Sequence, residues 1–216
     1  MQHEESFAVN YKGKNEKLPE NDTNPYDNAG RIYEELFDSY YDGSMLPQEV
    51  PHIIERVTTI ASANSSFASL STNGFGTLSS ERMQHFATQG NACIPEVLNR
   101  SSLTQNAKAS FSGFIYSFIS LYGTESDVTL LYNAVVKYEN SVINTILLTE
   151  NDKRIILTTT SIVRYSAYRT KKKPKKNTDP DWIIFVGNIV GGADGAEENM
   201  CKAIAEALAT GIISNR

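Results

Sequence analysis

Two cysteines and three histidines in 216 residues leave little material for metal or redox chemistry. Cys93 and Cys201 stand far apart with no CxxC pair, which excludes the ligand spacing of zinc ribbons and dithiol oxidoreductases. His3, His52 and His85 are isolated, and Glu55 follows His52 at the wrong distance for the HExxH pattern of a zinc protease. A GxSxG nucleophile elbow, a GxGxxG dinucleotide fingerprint and a Gly-Lys-Ser or Gly-Lys-Thr phosphate loop are all missing. Apolar runs such as Ile183 to Val186 span only a few residues, far short of the roughly 20 that cross a bilayer. The beginning, Met-Gln-His-Glu-Glu, lacks the basic and apolar stretches of a secretory signal, so the protein is either cytosolic or an exported chain whose signal has been removed. From these absences we expect no metal, no cofactor and no catalytic constellation. The cysteines read as two buried thiols, with a single disulfide as the alternative in an exported protein.

What is present suits one helical domain. A chain of this length buries on the order of 70% of its unfolded surface and needs no covalent staple. The net charge of −5 gives no general attraction to nucleic acid. Residues 1–24 are poor in apolar side chains and are expected to be a flexible tail. From 25 to 216 the periodicity predicts an all-α, single-domain bundle of about six to seven helices. Ile32, Tyr33, Leu36, Phe37, Tyr40 and Tyr41 mark a first helix over 28–41, and Val50, Ile53, Ile54, Val57 and Ile60 mark a second to about 63. The Ser-, Thr- and Gly-rich stretch from Ser62 to Ser80 reads as a long loop. A third helix, capped by Ser79 or Ser80, is interrupted near Gly90 and Pro95. Ser101 or Ser102 opens the next, which carries Phe111, Phe114, Ile115, Phe118 and Ile119, and Ser126 caps a long helix read as central. Residues 154–169 are largely β-branched and fit helix better than strand, because neighbouring helices offer no partner strand.

Three features stand out beyond the core pattern. Arg169, Lys171, Lys172, Lys173, Lys175 and Lys176 place six positive charges in eight residues, leaving the rest of the chain at −11. Self-repulsion makes this a solvated linker over 170–180, and its functional rival is an anion-binding patch for nucleic acid or an anionic surface. Gly187, Gly191, Gly195, Ala203, Ala207 and Gly211 recur at four-residue spacing, a small-residue stripe along one C-terminal helix that admits another backbone closely. That backbone belongs either to this chain or to a partner, possible self-association included. The glycines lower helix propensity, so a break near Gly191-Gly192 is the competing expectation. Arg164, set among Ile162, Val163, Tyr165 and Tyr168, is a candidate for a partly buried structural ion pair. Adjacent carboxylates, Glu34-Glu35 and Glu197-Glu198, point about 100° apart on a helix and read as solvated faces.

Asn24-Pro25-Tyr26-Asp27-Asn28-Ala29-Gly30, the segment Ser161 to Tyr168 with its Arg164-Tyr165-Ser166 core, and Asp181-Trp182 ahead of the glycine stripe together resemble a family of uncharacterised, often exported or lipid-anchored helical proteins of Bacteroidota. The chain departs from that pattern at Arg169, where another aromatic is usual, and at Asn188, where an acidic residue is usual. The resemblance implies no activity. It implies a bacterial envelope or secreted setting, with an exported or periplasmic location favoured over a cytoplasmic one, and a helix over 154–169. The functional expectation is therefore a non-enzymatic interaction or structural protein with a protein partner. The alternatives are anion binding through Lys171 to Lys176, and an enzyme with the 62–80 loop as lid.

Overall fold

A computed structural model describes residues 19–42, 45–70, 75–169 and 180–216. Among these residues the protein is all-α, with no strand. Apolar residues at helical spacing build α1 (Asn28–Tyr41) and α2 (Val50–Ala63), with Pro51 in the first turn of α2, where its missing N–H has no helical partner to lose. The expected loop from Ser62 to Ser80 is partly helical: α3 (Ser65–Leu70) follows at once. Buried Phe67 anchors it and meets Phe75 edge to face, an apolar contact that the Ser-rich composition conceals. Ser79 caps α4 (Ser80–Gln89) by accepting from the Arg82 N–H. Gly90, at φ +56°, then turns the chain through a short 3-10 segment (Gly90–Cys93) into α5 (Ile94–Arg100).

The next two helices, α6 (Gln105–Tyr122) and α7 (Val128–Asn144), are capped by Thr104 and Asp127 rather than by the serines just before them. Both bury one stripe only. The centre of the fold lies instead in α8 (Glu150–Arg169) and in the last helix, α10 (Met200–Ser214), which pairs with α9 (Pro180–Ala196). Every residue from Ile155 to Ala167 and from Cys201 to Ile213 is buried. Helix α8 hides its hydroxyls there partly by turning them onto its own carbonyls, as Thr159 does to Ile155.

The small-residue stripe belongs to two helices, not one. Helix α9 runs through Gly191-Gly192 without a break, and the chain reverses at 197–199, where Asn199 caps α10 by accepting from the Lys202 N–H. The halves of the stripe face each other. A Cβ added to Gly187 would lie 2.9 Å from the Gly211 Cα, and one added to Gly195 would lie 2.6 Å from the Ala203 nitrogen. At Gly191 it would overlap the Glu206 carbonyl. Only glycine permits this approach, and tight packing of the hairpin offsets the helix propensity that glycine forfeits.

Candidate functional site

The close α9–α10 crossing carries two carboxyl groups to one place, Asp194 near the end of α9 and Glu206 midway along α10. Both line a polar cleft of about 320 Å³ between α4, α5, the α9–α10 hairpin and residues 77–79. Arg82, aimed from the first turn of α4, grips Asp194 through Nε and Nη2 while its guanidinium lies over the Phe86 ring. Lys202 donates to the Thr77 carbonyl at 3.2 Å, pairs with Glu198 at 3.1 Å and stands 3.9 Å from Glu206. Glu197 accepts from the Ser102 N–H through Oε1. Its Oε2 is buried without a donor, and so is Oε2 of Glu206, a residue only 3% exposed.

Burial, reinforced by the negative charge of Asp194, pushes the Glu206 carboxyl up to about 8, against the pull of Lys202 and Arg82. Glu206 therefore holds a proton at neutral pH, and Asp194 is its hydrogen-bond partner. The cleft thus combines a fixed ion pair, a lysine and an acid that ionises at mildly alkaline pH.

A second polar cluster is closed. Arg164 contacts both oxygens of Glu139 through Nη1, donates from Nε to the Pro19 carbonyl at 2.7 Å and pairs with Asp27 through Nη2. Asn21 and Asn24 donate to Glu139 at 2.7 and 2.9 Å, and Asn24 also donates to the Leu157 carbonyl. Asn188 of α9 donates to the Tyr33 hydroxyl and to Ser166. The Asn-Pro-Tyr-Asp start and the Arg-Tyr-Ser segment therefore meet. The expected tail over 1–24 is shortened accordingly, since Pro19, Asn21 and Asn24 are buried against α7 and α8, while residues 1–18 lie outside the described residues. With both side chains at 0% exposure, the Arg164–Glu139 pair fixes the register of α7 on α8 and offers no surface to a ligand.

The remaining sequence candidates are dispersed. Lys171, Lys172, Lys173, Lys175 and Lys176 lie outside the described residues. Arg169 is engaged by Glu34 and Asp38 and lies over the Phe37 ring, which ties the end of α8 to α1. Gly187, Gly191, Gly195, Ala203, Ala207 and Gly211 are buried in the hairpin, so their close-approach face is covered by the chain itself. Cys93 and Cys201 are both buried, and Cys201 donates from Sγ to the Phe67 carbonyl. Glu197, read from the sequence as part of a solvated face, lines the cleft instead.

Sequence reasoning missed Arg82, Asp194, Lys202 and Glu206. The available signal was that Asp194, Lys202 and Glu206, like Glu197 and Glu198, are charged residues set in a C-terminal segment rich in small and apolar side chains. Compared with protein-family models, with curated proteins and with solved structures, the chain matches none.

Proposed function

We propose that the protein is a non-enzymatic helical interaction protein that receives a lysine or arginine side chain of a protein partner in the cleft between α4, α5 and the α9–α10 hairpin. The observation that carries this reading is Oε2 of Glu197, buried in the cleft without a donor, together with the Glu206 carboxyl in the same cleft, whose proton a bound cation can displace. A buried acceptor without a donor is costly, and an entering ammonium or guanidinium supplies several N–H donors at once. The net charge of −5 favours a cationic partner at longer range. A bacterial envelope or secreted setting is proposed on the family resemblance alone.

Anion binding through Lys171 to Lys176 is the weaker proposal, because Arg169, the first charge of that cluster, is already engaged by Glu34 and Asp38. The enzyme reading retains one supporting feature: Thr77 and Ser79, from the expected lid, line the cleft.

Isothermal titration of the full chain with a lysine-rich peptide and with its acetylated form tests the interaction reading. The unmodified peptide is expected to bind with Kd on the order of 10 μM and the acetylated form at least tenfold more weakly. Equal binding of both forms, or heat from neither, contradicts the reading.

A further inference from the structure

We propose that His85, Cys93 and Glu96 form a binding site for a thiophilic divalent cation of the zinc class, a site separate from the cation-accepting carboxylates of the cleft. The sequence conceals it, since a His-x7-Cys-x2-Glu order is neither the CxxC nor the HExxH spacing of zinc sites. The fold assembles it. Helix α4 carries His85, and the positive-φ turn at Gly90 reverses the chain so that Cys93, just before α5, and Glu96, in the first turn of α5, return beside it.

The imidazole nitrogen, the thiol sulfur and a carboxylate oxygen all lie within 4.8 Å of one another, and Nε2 of His85 is 2.9 Å from Oε2 of Glu96. Tetrahedral zinc holds nitrogen and oxygen ligands at about 2.0–2.2 Å and sulfur at about 2.3 Å, which sets ligands roughly 3.3–3.8 Å apart. Side-chain rotations of about 1 Å convert one arrangement into the other. The two side chains that must turn are free to do so, being 49% and 40% exposed, whereas Cys93 is buried and supplies the fixed soft ligand. Arg100 holds Oε1 of Glu96 at 3.6 Å, which leaves Oε2 on the histidine side.

Cys93 meets the metal as a neutral thiol, the ordinary form of a cysteine side chain at neutral pH. Binding breaks the S–H bond, forms a sulfur–metal bond and releases one proton to solvent, with no change of oxidation state. Thiolate and imidazole together select zinc or cobalt over magnesium and calcium, and three protein ligands leave a fourth position to solvent.

Titration of the untagged full chain with cobalt(II), followed by competition with zinc, tests the proposal. The wild-type protein is expected to develop the visible ligand-field bands of tetrahedral cobalt and a thiolate-to-cobalt charge-transfer band, both abolished by one equivalent of zinc. Cys93→Ser should lose the charge-transfer band. Its zinc affinity should fall by more than about tenfold, a loss that removal of even an outer-shell partner can bring. His85→Ala, at an exposed position that leaves the core intact, should show the same fall. The proposal is overturned by a wild-type protein without the charge-transfer band, or by both variants binding zinc as tightly as the wild type.

Discussion

Arg164 of α8 and Glu139 of α7 form an ion pair that neither side chain shares with solvent. Burial alone pushes the Glu139 carboxyl up and the Arg164 guanidinium down, so each charge depends on its neighbours for its place in the core. Asn21, Asn24 and the Pro19 carbonyl complete the shell, which is how the segment ahead of α1 comes to be fixed.

Removing one partner strands the other. Arg164→Met alone and Glu139→Met alone are each expected to destabilise the protein by about 3–5 kcal/mol, and the double variant by clearly less than their sum. Denaturant unfolding of the four proteins measures this coupling. Strict additivity would show that the pair contributes nothing beyond its separate packing.

The glycines divide by what surrounds them. Gly191→Ala drives a methyl group into the Glu206 carbonyl and is expected to destabilise the fold despite the gain in helix propensity. Gly113→Ala, on the exposed face of α6 with nothing within 4 Å, is expected to stabilise it by about 0.5–1 kcal/mol. Thermal unfolding of the two variants distinguishes propensity from packing. A stabilising Gly191→Ala would remove the close hairpin crossing.

Glu206 gives stability a pH dependence of definite sign. Its folded value of about 8 exceeds its ordinary 4.5, so its contribution is complete below about 4.5 and is lost as pH rises through 8. Glu206→Gln keeps the neutral form at every pH. Relative to wild type, that variant should gain stability between about pH 5 and pH 8, by at most a few kcal/mol. Chemical denaturation across this range is the measurement, and parallel profiles would show that Glu206 is already ionised in the folded protein.

The same proton bears on ligand binding. A cation entering beside Glu206 favours the carboxylate and displaces the proton, so affinity for a lysine-rich peptide should rise between about pH 6 and pH 8. Calorimetry in buffers of different ionisation enthalpy should register the release. Buffer-independent heats would place the ligand elsewhere.

The helical class and several helix boundaries were legible because Ile32 to Tyr40 and Phe111 to Phe118 repeat their apolar residues at helical spacing. Residues 154–169 were ambiguous, since β-branched side chains suit strands as well. Full burial on α8, with Thr159 turned onto its own helix, shows why threonines are tolerated there. The centre was misplaced for a related reason: amphipathic α6 and α7 carry the clearest pattern, whereas a helix buried on every face has no pattern to display. In the C-terminal stripe the spacing was visible, but the reversal at Asn199 that folds it against itself was not. The cleft was least legible of all, because Thr77, Arg82, Val97, Asp194 and Glu206 come from separate segments that only the tertiary fold brings together.

The most direct test of the cleft's role is a heteronuclear NMR titration of the labelled full chain with N-acetyl-lysine amide at pH 8. The proposed function predicts saturable amide shifts confined to residues 77–82, 97–101 and 193–206, and lost in a Glu197→Gln/Glu206→Gln variant. Shifts scattered over the acidic surface, or unchanged in that variant, would contradict it.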